Sequence, residues 1–288
     1  MRIGIRLGKV VVFVLLLFLT LKLTSSPDCE FTRSIREAIR AYNEHGREAL
    51  PELSSSEIER LLRGQVVKVR SRLRAGELEE YAGEFFHRVA GFYIVERSQR
   101  DVWLAAIDPH LWQNDLNTGY RIFSDGKGGC RRYQHLALPW PIADRHWVID
   151  LSLGVELAEA SNGTVWEYSW NLAPDGEAIA QEIVGDGKVA GLCLKDLEGA
   201  IFLPLDFGGW IAVALSPTRT LLIYHVATDV GGRIPDCWIA LYAMSQLDAM
   251  LREVGELSLR AGEHYREGHE LIWDGLGRPL PKIGDGGA

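Results

Sequence analysis

The sequence lacks the clustered basic surface that a nucleic-acid groove needs: its formal net charge is −8 over 288 residues, and no run of Lys and Arg follows residue 10. Cysteine is scarce. Cys29, Cys130, Cys193 and Cys237 are scattered so widely that no CxxC or Cys/His pair stands at zinc-ligand spacing. An oxidising compartment would allow one disulfide, yet most of these positions lie in apolar stretches where a buried free thiol is the plainer expectation. Ser152, Ser169 and Ser216 fall outside any Gly-x-Ser-x-Gly elbow, so a hydrolase triad has no support. Gly126-Lys127-Gly128-Gly129 lacks the Gly-Lys-Ser/Thr ending of a phosphate loop and precedes a strand, which makes it a hairpin turn. His87, His110, His135, His146 and His225 show no HxxxH-like spacing and no evident acidic orienter. No metal, cofactor or catalytic residue is therefore expected.

Long hydrophobic runs are also missing, with one exception. Arg2, Arg6 and Lys9 precede an uncharged run from Val10 to Leu21, followed by Lys22 and Thr24-Ser25-Ser26-Pro27. This is a signal-peptide profile. The run falls short of the roughly 20 apolar residues of a spanning helix, although a snorkelling Lys22 would let it stay as an anchor. In either case the basic flank points the remainder out of the cytoplasm. The expected division is a signal peptide or membrane anchor over 1–27, one folded domain over 31–266 and a loose Gly- and Pro-rich tail over 267–288, in the periplasm or anchored facing it.

What is present is ordinary globular material, 47% apolar and 24% charged, with nine Trp. Phe31, Ile35, Ile39 and Tyr42 recur at helical spacing, and Ser54 with Glu57 forms a capping box for a second short helix that stops at Gly64. From Gln65 the period changes to two: Val67, Val69, Ser71 and Leu73 alternate with Lys68, Arg70 and Arg72. A strand near 89–96 and a helix from Ser98 to Pro109 follow. Strands are then expected near 118–124, 129–138, 145–157, 163–171, 200–206, 209–215 and 219–228, with a weakly patterned break at 172–198. A long helix starts near Pro235, and Cys237, Leu241, Met244, Leu251 and Val254, widened by Trp238, Tyr242 and Ala249, give it an apolar stripe broad enough to lie on a sheet. The expected class is α+β: a curved antiparallel sheet gripping a long C-terminal helix, with an apolar cavity where curvature leaves a gap.

The segment Pro139-Trp140-Pro141-Ile142-Ala143-Asp144-Arg145-His146-Trp147-Val148 resembles a signature of the START lipid-transfer family, in which a Pro-Trp-Pro turn, an Asp-Arg pair and an aromatic open a central strand. Thr228-Asp229-Val230-Gly231-Gly232-Arg233-Ile234-Pro235 is similar to that family's passage from last strand to terminal helix. A looser similarity runs from about Gly64 to Leu259. The resemblance implies the helix-grip fold and the binding of a lipid, a sterol or another apolar molecule, with a membrane as donor, acceptor or anchor. One departure narrows this. Sterol-carrying members place a second Arg six positions after the signature Arg, paired with an acid of the preceding strand, and here those positions hold Leu151 and His135.

The cavity candidates are Trp147, Ile149 and Leu151 on one strand and Trp166, Tyr168 and Trp170 on the next, each set sharing a face by period two. His135, Arg145, Trp238 and Leu241 complete the set. Ordinary core packing uses the same residue types, and an Arg beside Asp144 at a strand start is more often a structural ion pair that fixes the Pro-Trp-Pro turn. Two other readings stand beside lipid binding: a cyclase or aromatase, which an inward His135 near a Tyr or Asp would favour, and an envelope interaction module whose cavity its own side chains fill.

Overall fold

The computed structural model describes residues 27–46, 49–74, 85–111, 117–234 and 236–283. The targeting segment thus lies outside the described residues. Among those described, no helix is long and apolar enough to cross a membrane.

Two helices, α1 (Pro27–His45) and α2 (Ser55–Leu62), precede β1 (Val67–Arg74) and β2 (Phe85–Val95). The Ser54–Glu57 capping box forms as expected, and Gly64 takes a positive φ at the helix stop. Next come α3 (Gln99–Ile107), β3 (Asn117–Ser124), β4 (Cys130–Leu136) and β5 (Arg145–Leu153). The chain continues through α4 (Val155–Ala160), β6 (Val165–Leu172), α5 (Gly176–Gly185), α6 (Leu194–Leu197) and β7 (Ile201–Phe202). It closes with β8 (Leu205–Ser216), β9 (Arg219–Asp229) and the long helix α7 (Asp236–His264). Eight strands form one antiparallel path in the order β1-β2-β9-β8-β6-β5-β4-β3, with β7 added parallel to β5. The result is an α+β fold whose curved, open sheet holds a long C-terminal helix.

Alternation along the strands sends two sets of side chains to two helical layers. On the gripped face, Val95, Trp166, Ala212 and Leu222 pack with Val102 to Ala106 of α3 and with Leu251, Val254 and Leu257 of α7. On the opposite face, Phe92, Ile211 and Ile223 pack against Ile35, Ile39 and Tyr42 of α1 and Ile58 and Leu61 of α2. Tyr42 also pins α1 through a buried hydrogen bond from its hydroxyl to Glu167 Oε1 at 2.5 Å. Further along that face, α5 covers Tyr133 and Val148 with Ala180, Ile183 and Val184.

Several expectations are corrected. The strand expected over 145–157 ends at Leu153, because Gly154 turns the chain into α4 while its amide donates to the Glu167 carbonyl. The segments 200–206 and 209–215 resolve into a two-residue β7 and one twelve-residue β8. The 267–288 tail is not loose where described: Ile272, Asp274 and Leu280 are buried, and the Tyr265 hydroxyl accepts from the Ile272 amide at 2.9 Å. Cys193 and Cys237 are exposed rather than buried, and with the half-buried Cys130 they are free thiols. The phase of α7 differs too. Its buried line runs through Ala240, Leu247, Leu251, Val254, Ala261 and Tyr265, which leaves Trp238 and Leu241 in solvent.

Candidate ligand-binding site

On the gripped face, beyond the reach of α7, lies a pocket of about 340 Å³. Its floor is the inner surface of four neighbouring strands: Arg121 of β3, Cys130 and Arg132 of β4, Leu153 of β5 and Tyr168 of β6. Its roof is the end of α3 with Asp108 and His110, and the returning segment from His269 to Trp273. The roof is held down where the Trp103 indole N–H donates to the Trp273 carbonyl at 2.8 Å.

The two floor cations are not equivalent. Arg121 makes a two-pronged ion pair with Glu270, its Nη2 donating to Oε2 at 2.9 Å, and this holds the Glu270 carboxyl below its ordinary range. Arg132 has no carboxylate partner among the described residues, and its Nε is shut off from solvent with no acceptor. Tyr168 places its hydroxyl 3.5 Å from Cys130 Sγ, and burial pushes that phenol well above its ordinary value, so it remains a neutral donor.

The structure brings the two expected rows together, since Leu151 pairs with Trp170 and Leu153 with Tyr168. Tyr168 reaches the pocket. Trp166 is buried edge-on against Trp103 at 5.6 Å and belongs to the packed core under α3. Ile149 is buried, whereas Trp147, Leu151 and Trp170 are half-buried. Trp170 joins Tyr224 and Trp210 in an aromatic shelf with ring separations of 5.8 and 4.6 Å. It also hydrogen-bonds the buried Asp206, which accepts from Thr228 Oγ1 at 2.7 Å and whose carboxyl burial pushes up to about 7.

Arg145 is buried and spends its donors on backbone carbonyls, Val230 at 2.7 Å, Gly231 at 3.4 Å and Ala143. It therefore ties the Pro-Trp-Pro loop to the Gly-rich turn before α7 rather than meeting a ligand. His135 pairs with His146 in register, on the face opposite Arg132 and Gln134, where its Nε2 is 3.5 Å from Asp144. Its placement as a cavity residue is a correction: one step along a strand reverses the face. His146 beside it is depressed to about 4 by burial and by the neighbouring His135. Trp238 and Leu241, also expected in the cavity wall, point into solvent, with Trp238 70% exposed.

Sequence reasoning missed Arg121, Cys130, Arg132 and the roof from His269 to Trp273. Period two along β4 groups Cys130, Arg132 and Gln134 on one face, but only the register with β5 shows that this face is the inner one.

This curved antiparallel sheet holding a long C-terminal helix is a helix-grip-like fold. The solved structure of human STARD10 superposes with a TM-score of 0.52 at 12% identity, covering 78% of this chain and 80% of that one. A STAR-related lipid transfer protein from Xanthomonas axonopodis (fragment 25–204) gives 0.41 at 18% identity, over 58% and 86% of the two chains. The Zhui aromatase/cyclase from Streptomyces sp. R1128 gives 0.36 at 11% identity, over 68% and 95%. No protein-family model matches the sequence, and no curated protein matches it.

Proposed function

We propose that the protein binds a lipid or other apolar small molecule bearing one anionic group, and passes it to or from a membrane without chemical change. The observation that carries this is the pocket floor, where Arg132, with no carboxylate partner among the described residues, lines a half-open pocket together with Leu153 and the neutral Tyr168. A guanidinium whose Nε is shut off from water without an acceptor gains when one arrives at its fork, and a carboxylate or phosphate is the acceptor that fork fits. The half-buried row of Leu151 and Trp170 continues the apolar surface away from Arg132, in the direction a hydrocarbon chain would take.

A membrane-facing end supports the transfer step. Trp140 on the β4–β5 loop is 93% exposed, and Trp238, Leu241 and Tyr242 stand exposed on the first turns of α7. Arg145 bonds both connections, so these apolar side chains project from neighbouring segments. Exposed Trp and Tyr suit a bilayer interface because one end of each ring is apolar and the other polar. The cyclase reading has no such support, since His135 lies on the far face of the sheet.

The test is native mass spectrometry of the purified full chain in detergent, followed by organic extraction. One equivalent of an acidic lipid is expected from the parent and a markedly smaller share from Arg132→Gln at unchanged fold. Neutral lipids bound equally by both proteins, or no co-purifying ligand and no uptake from acidic-lipid vesicles, would refute the proposal.

A further inference from the structure

At the rim of the pocket, three side chains converge on the C-terminal ends of two packed helices. Asp108 caps α3, His264 is the last residue of α7, and a turn through Gly268, at φ +88°, brings His269 back beside them. Their ligand atoms, one from each residue, all lie within 4.8 Å of one another. The His264 and His269 rings are 5.2 Å apart.

The inner pair is unusual. Asp108 is 1% exposed; one of its oxygens accepts from the His110 amide at 3.0 Å, and the other, Oδ2, receives no hydrogen bond. That oxygen lies 3.0 Å from His269 Nε2, which is likewise buried and without a hydrogen-bond partner. The other ring nitrogen settles the tautomer. His269 Nδ1 is 2.9 Å from the Glu270 carbonyl oxygen, and because a carbonyl can only accept, Nδ1 carries the hydrogen. In the neutral ring this leaves the Nε2 lone pair facing a carboxylate oxygen, two acceptors in contact with nothing positive between them. A second proton on Nε2 would give an ordinary ion pair, but the contact lacks the in-line geometry such an N–H would seek. Both atoms are shut off from solvent, with His264 alongside them.

A cation between them would satisfy every group. Zinc–nitrogen and zinc–oxygen bonds of about 2.0–2.2 Å in a tetrahedron place ligand atoms roughly 3.3–3.5 Å apart, close to the separation the buried pair already has. His264 is exposed, so a rotamer change would be free to bring its ring nitrogen nearer. The backbone carbonyl on His269 Nδ1 is the support that metal-bound imidazoles take from their surroundings, fixing ring orientation and raising basicity.

We propose that Asp108, His264 and His269 bind one divalent transition-metal ion of the zinc class, with its fourth position open to water or to an anionic group in the adjoining pocket. Two of the three, Asp108 and His269, line that pocket, so the ion would stand at its rim and join the end of α3 to the end of α7. The inference is independent of what the pocket holds, because the ligand set is complete without it.

The experiment uses the full chain in detergent, stripped with a chelator and titrated with Co²⁺ and Zn²⁺. Co²⁺ is expected to bind at one equivalent with the visible ligand-field bands of a four-coordinate site, and Zn²⁺ is expected to displace it and raise the thermal midpoint. His264→Ala and His269→Gln should each weaken Zn²⁺ by at least about 100-fold, the upper end of what losing a mere supporting partner costs. His45→Ala, on exposed α1, should leave it unchanged. His264 is exposed, so its variant tests the site even if changes at the buried residues disturb folding. Absence of one-to-one binding by the parent chain would overturn the proposal, as would affinity that the His264 and His269 substitutions leave intact; Asp108 and His269 would then be a plain ion pair.

Discussion

Asp206→Asn should leave the protein's stability nearly unchanged in acid and raise it in mild base. Asp206 lies on the gripped face of β8, buried, with Thr228 Oγ1 donating to it at 2.7 Å, and Trp170 also bonds it. Burial pushes its carboxyl from 3.8 to about 7, and these two hydrogen bonds pull it down only in part. Below about pH 4 both folded and unfolded chains hold this proton, so the group contributes nothing. Between about 4 and 7 the unfolded chain has released it while the folded chain keeps it, so stability falls as pH rises, levelling off above about 7. A shift of about three units at 1.36 kcal/mol each makes the full penalty about 4 kcal/mol, with roughly a third of it in place by pH 5. Asparagine is neutral throughout and keeps an acceptor for Thr228. The variant should match its parent within about 1 kcal/mol at pH 4 and exceed it by about 2–4 kcal/mol at pH 8. Urea unfolding of the full chain in detergent, followed by tryptophan fluorescence at pH 4, 6 and 8, measures this. His146, depressed to about 4, titrates in both proteins and cancels from the difference. A variant-minus-parent difference that stays flat from pH 4 to 8 would refute the reasoning, for it would mean that Asp206 ionises in the fold as readily as in the unfolded chain.

Gly208→Ala should cost about 3 kcal/mol or more, because its Cβ would stand 2.3 Å from the His225 carbonyl oxygen and 2.5 Å from the Trp170 ring, neither free to retreat. A urea midpoint close to the parent's would show that the strands are not so tightly apposed there. Trp238→Ser combined with Leu241→Ser should reduce partitioning onto acidic vesicles at least tenfold, since burying such side chains is worth roughly 1.5–3 kcal/mol each. The thermal midpoint should hold within a few degrees because both are exposed, and unchanged vesicle binding would exclude this face as the docking surface.

How much of this was legible depends on which signals are local. The helix stop at Gly64, the hairpin at 126–129 and the strand ending at Asp229 follow from capping, turn chemistry and period two, each confined to a few neighbouring residues. Gly208 misled for a physical reason: it fell in the break between the expected strands, but it sits inside β8, where the His225 backbone and the Trp170 ring come too close for a side chain. Helix α5 went unread because its buried Ala180, Ile183 and Val184 form a stripe too short to outweigh the glycines around it. The candidate site was half legible. The rows 147–151 and 166–170 were visible as rows, yet which face of β4 joined them depended on register with β5, and a single step separates Arg132 from Tyr133 on the outside. Nothing periodic marks 265–283: its anchors Ile272 and Leu280 belong to a three-residue apolar run and a Pro-flanked single Leu, and His264 and His269 stand five apart across a turn, a spacing that only the fold makes meaningful.

The roof of the pocket has a consequence for how the molecule is made. Every strand of the floor and the α3 end of the roof precede residue 230 in sequence, whereas the other half of the roof, His269 to Trp273, follows α7. During synthesis the floor therefore exists before the cover, and Arg132, Leu153 and Tyr168 face whatever surrounds the growing chain. Exposed apolar surface at that stage invites aggregation or a chaperone until the last turns dock over it. The pocket therefore gains its last wall only in the final stage of folding.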